Sequence, residues 1–118
     1  MEAGKHLFDG FQKRNGTIVP FHPEKIEHAV TCALESVARH DGTACDTGLA
    51  SQITMSVVKE LDNPRCDYYV RPNVDGRRVP KIEDVQDLVE VVLSEYGRAR
   101  EVAAYKRYRK QREVARTR

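Results

Sequence analysis

The sequence predicts an α+β fold in which a bundle of four helices is capped by a small three-stranded β-sheet. Four segments place apolar residues at the spacing of amphipathic helices. A hairpin signal, Asn15-Gly16, lies between two short extended runs ahead of the first helix. The segment 64–80 has aromatic β-formers and a turn signal at Asp75-Gly76, so we expect it to form an excursion on the surface that returns as the third strand of the sheet.

The hairpin and the helix that follows it occupy residues 11–26. The first strand ends in Lys13 and Arg14, the turn uses Asn15-Gly16 because both residues accept positive φ at low cost, and the second strand spans 17–19. Pro23 suits the first position of the next helix, where its missing N–H is no loss.

The four helices are predicted from their apolar spacing and their end signals. The first spans 23–39 and stops at Asp41-Gly42, and the second has Asp46 or Thr47 as N-cap and ends at Asn63-Pro64. The third carries Val85, Leu88, Val89, Val92 and Tyr96 and closes at Gly97. The fourth carries one stripe of Ala99, Val102, Tyr105, Tyr108 and Arg112, which changes from apolar to basic along the helix.

Length and composition indicate one ordinary globular domain. The chain has 118 residues, of which 40% are hydrophobic and 32% charged. No apolar run approaches the roughly 20 residues that a membrane helix needs, and residues 1–20 lack the apolar core of a signal peptide, so we expect a cytoplasmic protein. We predict a flexible leader over residues 1–10 and a single domain over residues 11–118.

No catalytic or metal centre is expected. Cys32, Cys45 and Cys66 are odd in number and widely spaced, which indicates neither a disulfide framework nor a zinc ribbon. The four histidines are scattered, and Asp84 and Asp87 are interpreted as a solvated acidic face. No phosphate-binding Gly-rich loop of the usual kinds occurs, which disfavours a nucleotide-hydrolysing enzyme.

Charge is distributed unevenly along the chain. Residues 98–118 hold nine Lys or Arg against two Glu, a net charge of +7, whereas residues 1–97 carry −5. A basic segment of this kind is typical of a nucleotide site, a nucleic-acid surface or a solvated helix end. Lys13, Arg14 and Lys25 can also converge on the free N–H groups at the start of the first helix, and this arrangement favours a phosphate.

Three sequence segments resemble the ATP-cone domain, a regulatory nucleotide-binding module of ribonucleotide reductases. They are Lys-Arg-x-Gly-x-x-Val-Pro-Phe-x-x-x-Lys-Ile in the hairpin region, Val-Pro-Lys-Ile-Glu-Asp-Val-Gln-Asp-Leu-Val-Glu at 79–90, and Val-Ala-Ala-Tyr-Lys-Arg-Tyr-Arg-Lys-Gln-Arg at 102–112. All three occur in the family's order, and the resemblance covers roughly residues 11–112.

The resemblance implies a nucleotide-binding set, and it implies no catalytic residue. Lys13 and Arg14 match the phosphate-contacting pair, and Lys25 and Arg112 match further basic positions near the phosphates. Phe11 and Ile82 match walls of the base or sugar, and Gln86 matches a polar position on the third helix. His22 stands where relatives often carry Asp or Asn, so it is expected either to cap the helix or to contact the sugar. The implied nucleotide-binding residues are Phe11, Lys13, Arg14, His22, Lys25, Ile82, Gln86 and Arg112.

The function implied is allosteric control of ribonucleotide reductase activity by ATP or dATP, with Mg²⁺ arriving as the nucleotide's counter-ion. The implied partners are a reductase catalytic domain or subunit and further copies of the chain. No association with a membrane is expected. Two alternatives stay open. The ATP cone of a transcriptional regulator of reductase genes would need a zinc ribbon, and residues 1–10 contain no Cys. A basic nucleic-acid-binding module would show salt-dependent binding to arbitrary DNA.

Overall fold

The computed structural model describes residues 8–117, and within that range the chain forms one hairpin followed by four helices. The predicted α+β class and the four helices are confirmed. The elements are β1 (Phe11–Gln12), β2 (Ile18–Val19), α1 (Pro23–Asp41), α2 (Thr47–Leu61), α3 (Ile82–Glu95) and α4 (Ala99–Thr117). None of these helices is long and apolar enough to span a lipid bilayer.

The hairpin forms at the predicted place with a three-residue loop. The Lys13 N–H donates to the Thr17 carbonyl at 2.8 Å, and the Gly16 N–H donates to the Lys13 carbonyl at 2.9 Å. Gly16 takes a φ of 88°, whereas Asn15 does not have the positive φ expected for it. Instead, the Asn15 side chain accepts a hydrogen bond from the Thr17 N–H at 2.9 Å. The loop therefore needs left-handed backbone only at its last position, where glycine adopts it without steric cost.

The predicted third strand is wrong, because the described sheet has two antiparallel strands. The returning segment adds only an isolated parallel bridge between Gln12 and Lys81. Pro80 accepts a hydrogen bond from the Gln12 N–H at 2.9 Å but has no N–H to give back. Since α3 begins at Ile82, the chain leaves the extended conformation before a second pair can form.

Local signals explain where α1 and α2 begin and end. Pro23 occupies the first turn of α1, and Gly42 follows its last residue with a φ of 71°. Asp46 is the N-cap of α2, and its carboxylate accepts a hydrogen bond from the Leu49 N–H at 3.1 Å. A side-chain cap of this kind stabilises a helix by about 0.5–2 kcal/mol.

The apolar faces of the four helices pack into one core, with α1 lying against both α2 and α4. Ile53, Leu61, Leu88 and Leu93 are its largest fully buried side chains, and burial of each such side chain contributes about 1.5–3 kcal/mol. A bidentate ion pair joins Asp41 at the end of α1 to Arg100 at the start of α4, so these two helices run antiparallel. We call the end of the bundle that carries β1 and β2 the hairpin end, and the opposite end the far end.

Residues next to the first strand pack beneath the hairpin. Phe8 is buried, and its ring centroid lies 5.2 Å from that of Phe21. The Asp9 N–H donates to the carbonyl of Arg78 at 2.8 Å, and the Arg78 guanidinium lies 5.0 Å from the Phe8 ring centroid. Residues 1–7 of the predicted leader lie outside the described residues.

Candidate functional site

A cavity of about 490 Å³ opens at the hairpin end, where β1, β2, α1, α3 and α4 meet. The hairpin forms one wall, the first turns of α1 and α3 form two others, and the C-terminal half of α4 completes it. Its lining residues are Phe11, Lys13, Val19, Pro20, Glu24, Lys25, Ile26, His28, Ala29, Ile82, Val85, Gln86, Tyr105, Tyr108 and Arg112.

Three cations from three different elements line this cavity. Lys13 follows β1, Lys25 lies in the first turn of α1, and Arg112 lies on α4. Within residues 8–117, none of the three has a carboxylate oxygen within 4.0 Å, although many other basic side chains in the same range form ion pairs. Glu24 is the one carboxylate among the lining residues. The cavity wall is therefore electropositive and supplies donors that an anion can use.

The start of α1 adds to this positive potential. Its N-cap residue, His22, has extended backbone, and its side chain makes no capping hydrogen bond. The first backbone N–H groups of a helix have no partner inside the helix and carry a partial positive charge. In α1, Pro23 has no N–H and the Lys25 N–H donates to the His22 carbonyl at 3.0 Å, so among its first three residues only Glu24 keeps a backbone N–H for such a ligand.

The rest of the cavity wall is apolar and aromatic. Phe11 is buried, and its ring centroid lies 4.7 Å from that of Phe21. Ile82 is partly buried beside this cluster. Tyr105 and Tyr108 have ring centroids 6.5 Å apart on α4. The site thus combines cations at its rim with neutral ring and aliphatic surfaces, a combination that suits a ligand with one charged and one flat apolar part.

Comparison with known proteins shows the family to which this chain belongs. The family described as the ATP cone domain matches residues 11–114, which is most of the chain. This chain belongs to the ATP-cone family. It is also similar to two proteins named vitamin B12-dependent ribonucleoside-diphosphate reductase from Mycobacterium tuberculosis, of strain CDC 1551 / Oshkosh and strain ATCC 25618 / H37Rv. Identity is 32% over 106 residues in each, which is 90% of this chain but only 13% and 12% of those reductases.

Six of the eight residues predicted for the site of this ATP-cone chain line the cavity together: Phe11, Lys13, Lys25, Ile82, Gln86 and Arg112. Arg14 and His22 do not. The six come from the hairpin and three helices, so the fold assembles side chains that lie up to a hundred positions apart in the sequence.

Arg14 is held outside the cavity by two carboxylates. Its Nη1 donates to Glu113 Oε1 at 2.8 Å, and its Nε lies 3.0 Å from Glu83 Oε2. The hydrogen bond with Glu113 is the main cause that raises the pKa of Arg14, and the same bond lowers the pKa of Glu113. Arg14 therefore ties the hairpin loop to the start of α3 and to the end of α4.

His22 points toward its own helix. Its Nδ1 lies 3.3 Å from Glu24 Oε1, and both side chains are about half exposed. The expected alternative in which the His22 side chain caps α1 is wrong, because no capping hydrogen bond forms. An imidazole is larger than the side chains of Asn or Asp, and here it meets the nearby carboxylate rather than the backbone N–H groups.

Nine of the fifteen lining residues were missed by the sequence prediction, and four of these nine are polar or aromatic: Glu24, His28, Tyr105 and Tyr108. Helical spacing was the signal that could have found His28, Tyr105 and Tyr108. His28 lies one turn after Lys25, and Tyr108 and Tyr105 lie one and two turns before Arg112. They therefore share the helix faces of residues already assigned to the cavity.

A second group of charges lies on the contact between α3 and α4. Arg109 Nη1 donates to Asp87 Oδ1 at 2.9 Å and to Glu90 Oε2 at 2.6 Å, and Lys106 Nζ lies 3.2 Å from Glu90 Oε1. Asp87, predicted to be part of a solvated acidic face, is therefore an ion-pair partner. Two basic residues of α4, Lys106 and Arg109, are therefore paired with α3, whereas Arg112 at the cavity has no carboxylate partner in the described range. Among the described residues, no cluster of three or more His, Cys, Asp or Glu side chains could hold a metal ion.

Proposed function

We propose that this chain binds adenine nucleotides in the cavity and serves as a regulatory domain that controls the overall activity of a ribonucleotide reductase. One observation carries the proposal: Lys13, Lys25 and Arg112 line one cavity without a carboxylate partner in the described part of the chain. Membership of the ATP-cone family and the similarity to reductases support it.

Unpaired cations around a cavity favour an anion for a simple energetic reason. Bringing several like charges together is unfavourable without counter-charges, and a phosphate chain supplies them. Each hydrogen bond between a charged donor and a phosphate oxygen contributes about 1.5–3 kcal/mol. Lys13 and Lys25 offer compact charges, while Arg112 can fork onto two oxygens.

The size and the wall of the cavity support a nucleotide over a free phosphate. Small-molecule sites in proteins usually measure about 300–1,000 Å³, and the cavity falls inside this range with its volume of about 490 Å³. A phosphate ion would use only the cationic rim. A nucleobase and its sugar would also cover the apolar surfaces of Phe11, Ile82 and Val85.

Magnesium enters this proposal only with the nucleotide. The lining residues include one carboxylate, Glu24, whereas Mg²⁺ bound by protein side chains usually has one or two carboxylates together with substrate phosphates. We infer that Mg²⁺ is carried by the phosphate oxygens and neutralises part of their charge.

Regulation requires that the bound nucleotide favour one state of a larger assembly over another. A ligand shifts such an equilibrium only by the difference between its affinities for the two states. We propose that ATP and dATP compete for the cavity and favour different arrangements of the chain with a reductase catalytic domain or subunit, or with further copies of itself. The chain spans about an eighth of the reductases it resembles, which leaves room for such a partner in the same polypeptide.

Arg14 offers a physical link between the cavity and the end of α4. It belongs to the proposed phosphate-contacting pair, yet it is bound to Glu83 and Glu113. To reach a phosphate oxygen it must leave those carboxylates. Nucleotide binding would therefore loosen the contact between the hairpin loop and the end of α4, the part of the helix nearest to any residues that follow.

Calorimetric titration of the chain with ATP, dATP, GTP and inorganic triphosphate at low salt tests the proposal. We expect micromolar affinity for ATP and dATP and weaker binding of inorganic triphosphate. ATP at about 100 times its dissociation constant should add about 2.7 kcal/mol to the free energy of unfolding. An unchanged melting temperature in millimolar ATP contradicts the proposal. Comparable binding of ATP and arbitrary DNA, both weakening steeply with salt, favours a nucleic-acid surface.

A further inference from the structure

A largely buried tyrosine presents to the cavity a hydroxyl group that the described part of the fold leaves without a partner. Tyr105 is only 3% exposed, and it lines the cavity. Its hydroxyl makes no hydrogen bond to any residue of the described range 8–117. By contrast, the exposed hydroxyl of Tyr96 lies 3.1 Å from Ser56 Oγ. Among the described residues, the one fully enclosed side-chain polar atom without a partner is Arg78 Nη2, so the Tyr105 hydroxyl keeps access to the cavity. A ligand group in the cavity can therefore supply the partner that a tyrosine hydroxyl usually has.

Its position separates this hydroxyl from the cationic rim. Arg112 lies two turns beyond Tyr105 on α4, and at 1.5 Å per residue the two positions are about 10 Å apart along the helix. Arg112 is on the side of the hairpin, whereas Tyr105 lies deeper in the bundle. Ala29 on α1, Val85 on α3 and Tyr108 on the next turn of α4 line the same cavity. Arg109, Glu90 and Asp87 also act electrostatically on Tyr105, but these three side chains are paired with one another.

The electrostatic character of this inner wall indicates which part of a ligand it receives. Burial raises the pKa of Tyr105, so the hydroxyl stays protonated and neutral. A neutral hydroxyl can both donate and accept a hydrogen bond, which suits the edge of a heterocyclic base. The adjacent ring of Tyr108, 6.5 Å away between centroids, offers a surface for the flat face of that base.

We propose that the Tyr105 hydroxyl forms a hydrogen bond with the nucleobase of the bound nucleotide and that Tyr108 forms the adjoining wall of a base subsite. The inference rests on the proposed function, because it takes Lys13, Lys25 and Arg112 as the phosphate end of the same ligand. It adds two residues to that site and orients the ligand, with its phosphates at the hairpin and its base between α1, α3 and α4.

Tyr105→Phe tests this assignment because it removes one oxygen and keeps the ring. Affinity should be measured by calorimetry for ATP, for ribose 5-triphosphate, which lacks the base, and for inorganic triphosphate. We expect the variant to bind ATP about three- to tenfold more weakly and to bind the two base-free ligands as the parent does. Tyr96→Phe, at the far end, is the matched control and should leave all three affinities unchanged.

The stability of the ligand-free protein gives an independent readout. A hydroxyl without a protein partner contributes no internal hydrogen bond, so Tyr105→Phe should melt at the temperature of the parent or above it. A clearly lower melting temperature means that the hydroxyl has a partner inside the fold, and this overturns the inference.

The remaining outcomes separate the inference from the proposed function. If the parent binds ATP and Tyr105→Phe binds it equally well, the base subsite is wrong while the nucleotide site stands. If the variant loses affinity for ATP and ribose 5-triphosphate in step, the hydroxyl contacts the sugar and the base assignment is again wrong. If the parent binds no nucleotide, the proposed function fails first.

Discussion

The two ends of the bundle use their basic residues in opposite ways. At the far end, Arg100 Nη1 and Nη2 donate to both oxygens of Asp41 at 2.8 and 2.7 Å. At the hairpin end, Lys13, Lys25 and Arg112 line a cavity and have no such partner in the described range. A paired cation ties two helices together, whereas an unpaired cation in a cavity is available to a ligand. Partner geometry therefore distinguishes cations that pair within the fold from cations that are available to a ligand, which charge density alone does not.

The largest expected effects come from removing the unpaired cations. Lys13→Ala and Arg112→Ala should each weaken ATP binding by about 1–3 kcal/mol, because each removes a charge-assisted hydrogen bond. Without ligand, the free energy of unfolding should change by no more than about 0.5 kcal/mol, since neither side chain has an ion pair to lose. Calorimetry measures the first quantity and urea denaturation the second.

Lys110→Ala is the matched control for Arg112→Ala, because it removes an exposed cation from the same part of α4 without touching the cavity. Its effect on ATP affinity should be much smaller. Equal losses for Lys13, Lys110 and Arg112, all vanishing at high salt, would mean that the chain attracts polyanions with a diffuse surface. The difference between paired cations at the far end and unpaired cations at the hairpin end would then be unrelated to ligand binding.

The backbone of the hairpin end is the next feature to test. Gly10 has a φ of 155°, and a Cβ at this position would lie 2.6 Å from the Val19 carbonyl oxygen. We expect Gly10→Ala to lower the free energy of unfolding by about 1–3 kcal/mol and to weaken ATP binding, because the displaced hairpin carries Lys13. Gly48→Ala, in the first turn of α2 at the far end, meets only the Asp46 carboxylate at 3.4 Å and is the control.

Urea denaturation distinguishes the two glycine variants. Gly48 lies in a helix, where Ala is favoured over Gly by up to about 1 kcal/mol, so its variant should be as stable as the parent or more stable. If Gly10→Ala unfolds at the same urea concentration as the parent, the hairpin tolerates displacement. The close packing of residue 10 against β2 would then be unimportant for the site.

Most of the fold could be predicted because its signals are local. Pro23, Asp46 and Gly97 mark helix ends by chemistry that acts within a few residues, and the apolar period fixes the buried faces between them. The prediction of a third strand failed because strand pairing depends on residues that are far apart in the sequence. Pro80 supplies a carbonyl to Gln12 but no N–H, and the immediate start of α3 leaves no room for a ladder.

The site shows the same division between local and distant information. The resemblance to ATP cones named six residues that line the cavity, but it could not reveal that Glu83 and Glu113 hold Arg14 away from it. Residues 14 and 113 lie close together only because α4 packs antiparallel to α1, which brings the end of α4 to the hairpin. Tyr105 was assigned to the apolar stripe of α4, and only the packed structure shows that its hydroxyl lacks an internal partner.

Arg14 is an exception to the difference between the two ends, because it lies at the hairpin end and yet is paired with carboxylates. If nucleotide binding draws Arg14 away from its carboxylates, Glu113→Gln should raise ATP affinity, by a factor of less than about five because the pair is exposed to solvent. Calorimetry in the Arg14→Ala background is the control. There the Glu113 change should lose its favourable effect, since no guanidinium remains to be released. Unchanged ATP affinity in Glu113→Gln would show that Arg14 keeps its carboxylate partners when the nucleotide binds.

The smallest effect is expected at the far end. Arg100→Ala removes the ion pair with Asp41, so it should lower the melting temperature slightly and leave ATP affinity unchanged. The hydrogen bond from Arg100 is the main cause that lowers the pKa of Asp41, and His40 Nδ1, 3.6 Å from Asp41 Oδ1, is a second partner. The ion pair of Asp41 therefore stabilises the folded state fully at pH values above the ordinary aspartate pKa of about 3.9. This stabilisation is lost as the pH falls through the lowered pKa that Asp41 has in the folded state.

The pH dependence provides the decisive measurement for this last pair. The difference in melting temperature between the parent and Arg100→Ala should be constant from neutral pH down to about pH 5, and it should disappear as Asp41 is protonated below its ordinary pKa. A difference that persists at the acid end would assign the effect to lost packing of the Arg100 stem. A loss of ATP affinity in Arg100→Ala would instead link the far end to the cavity and end the separation between structural and ligand-binding cations.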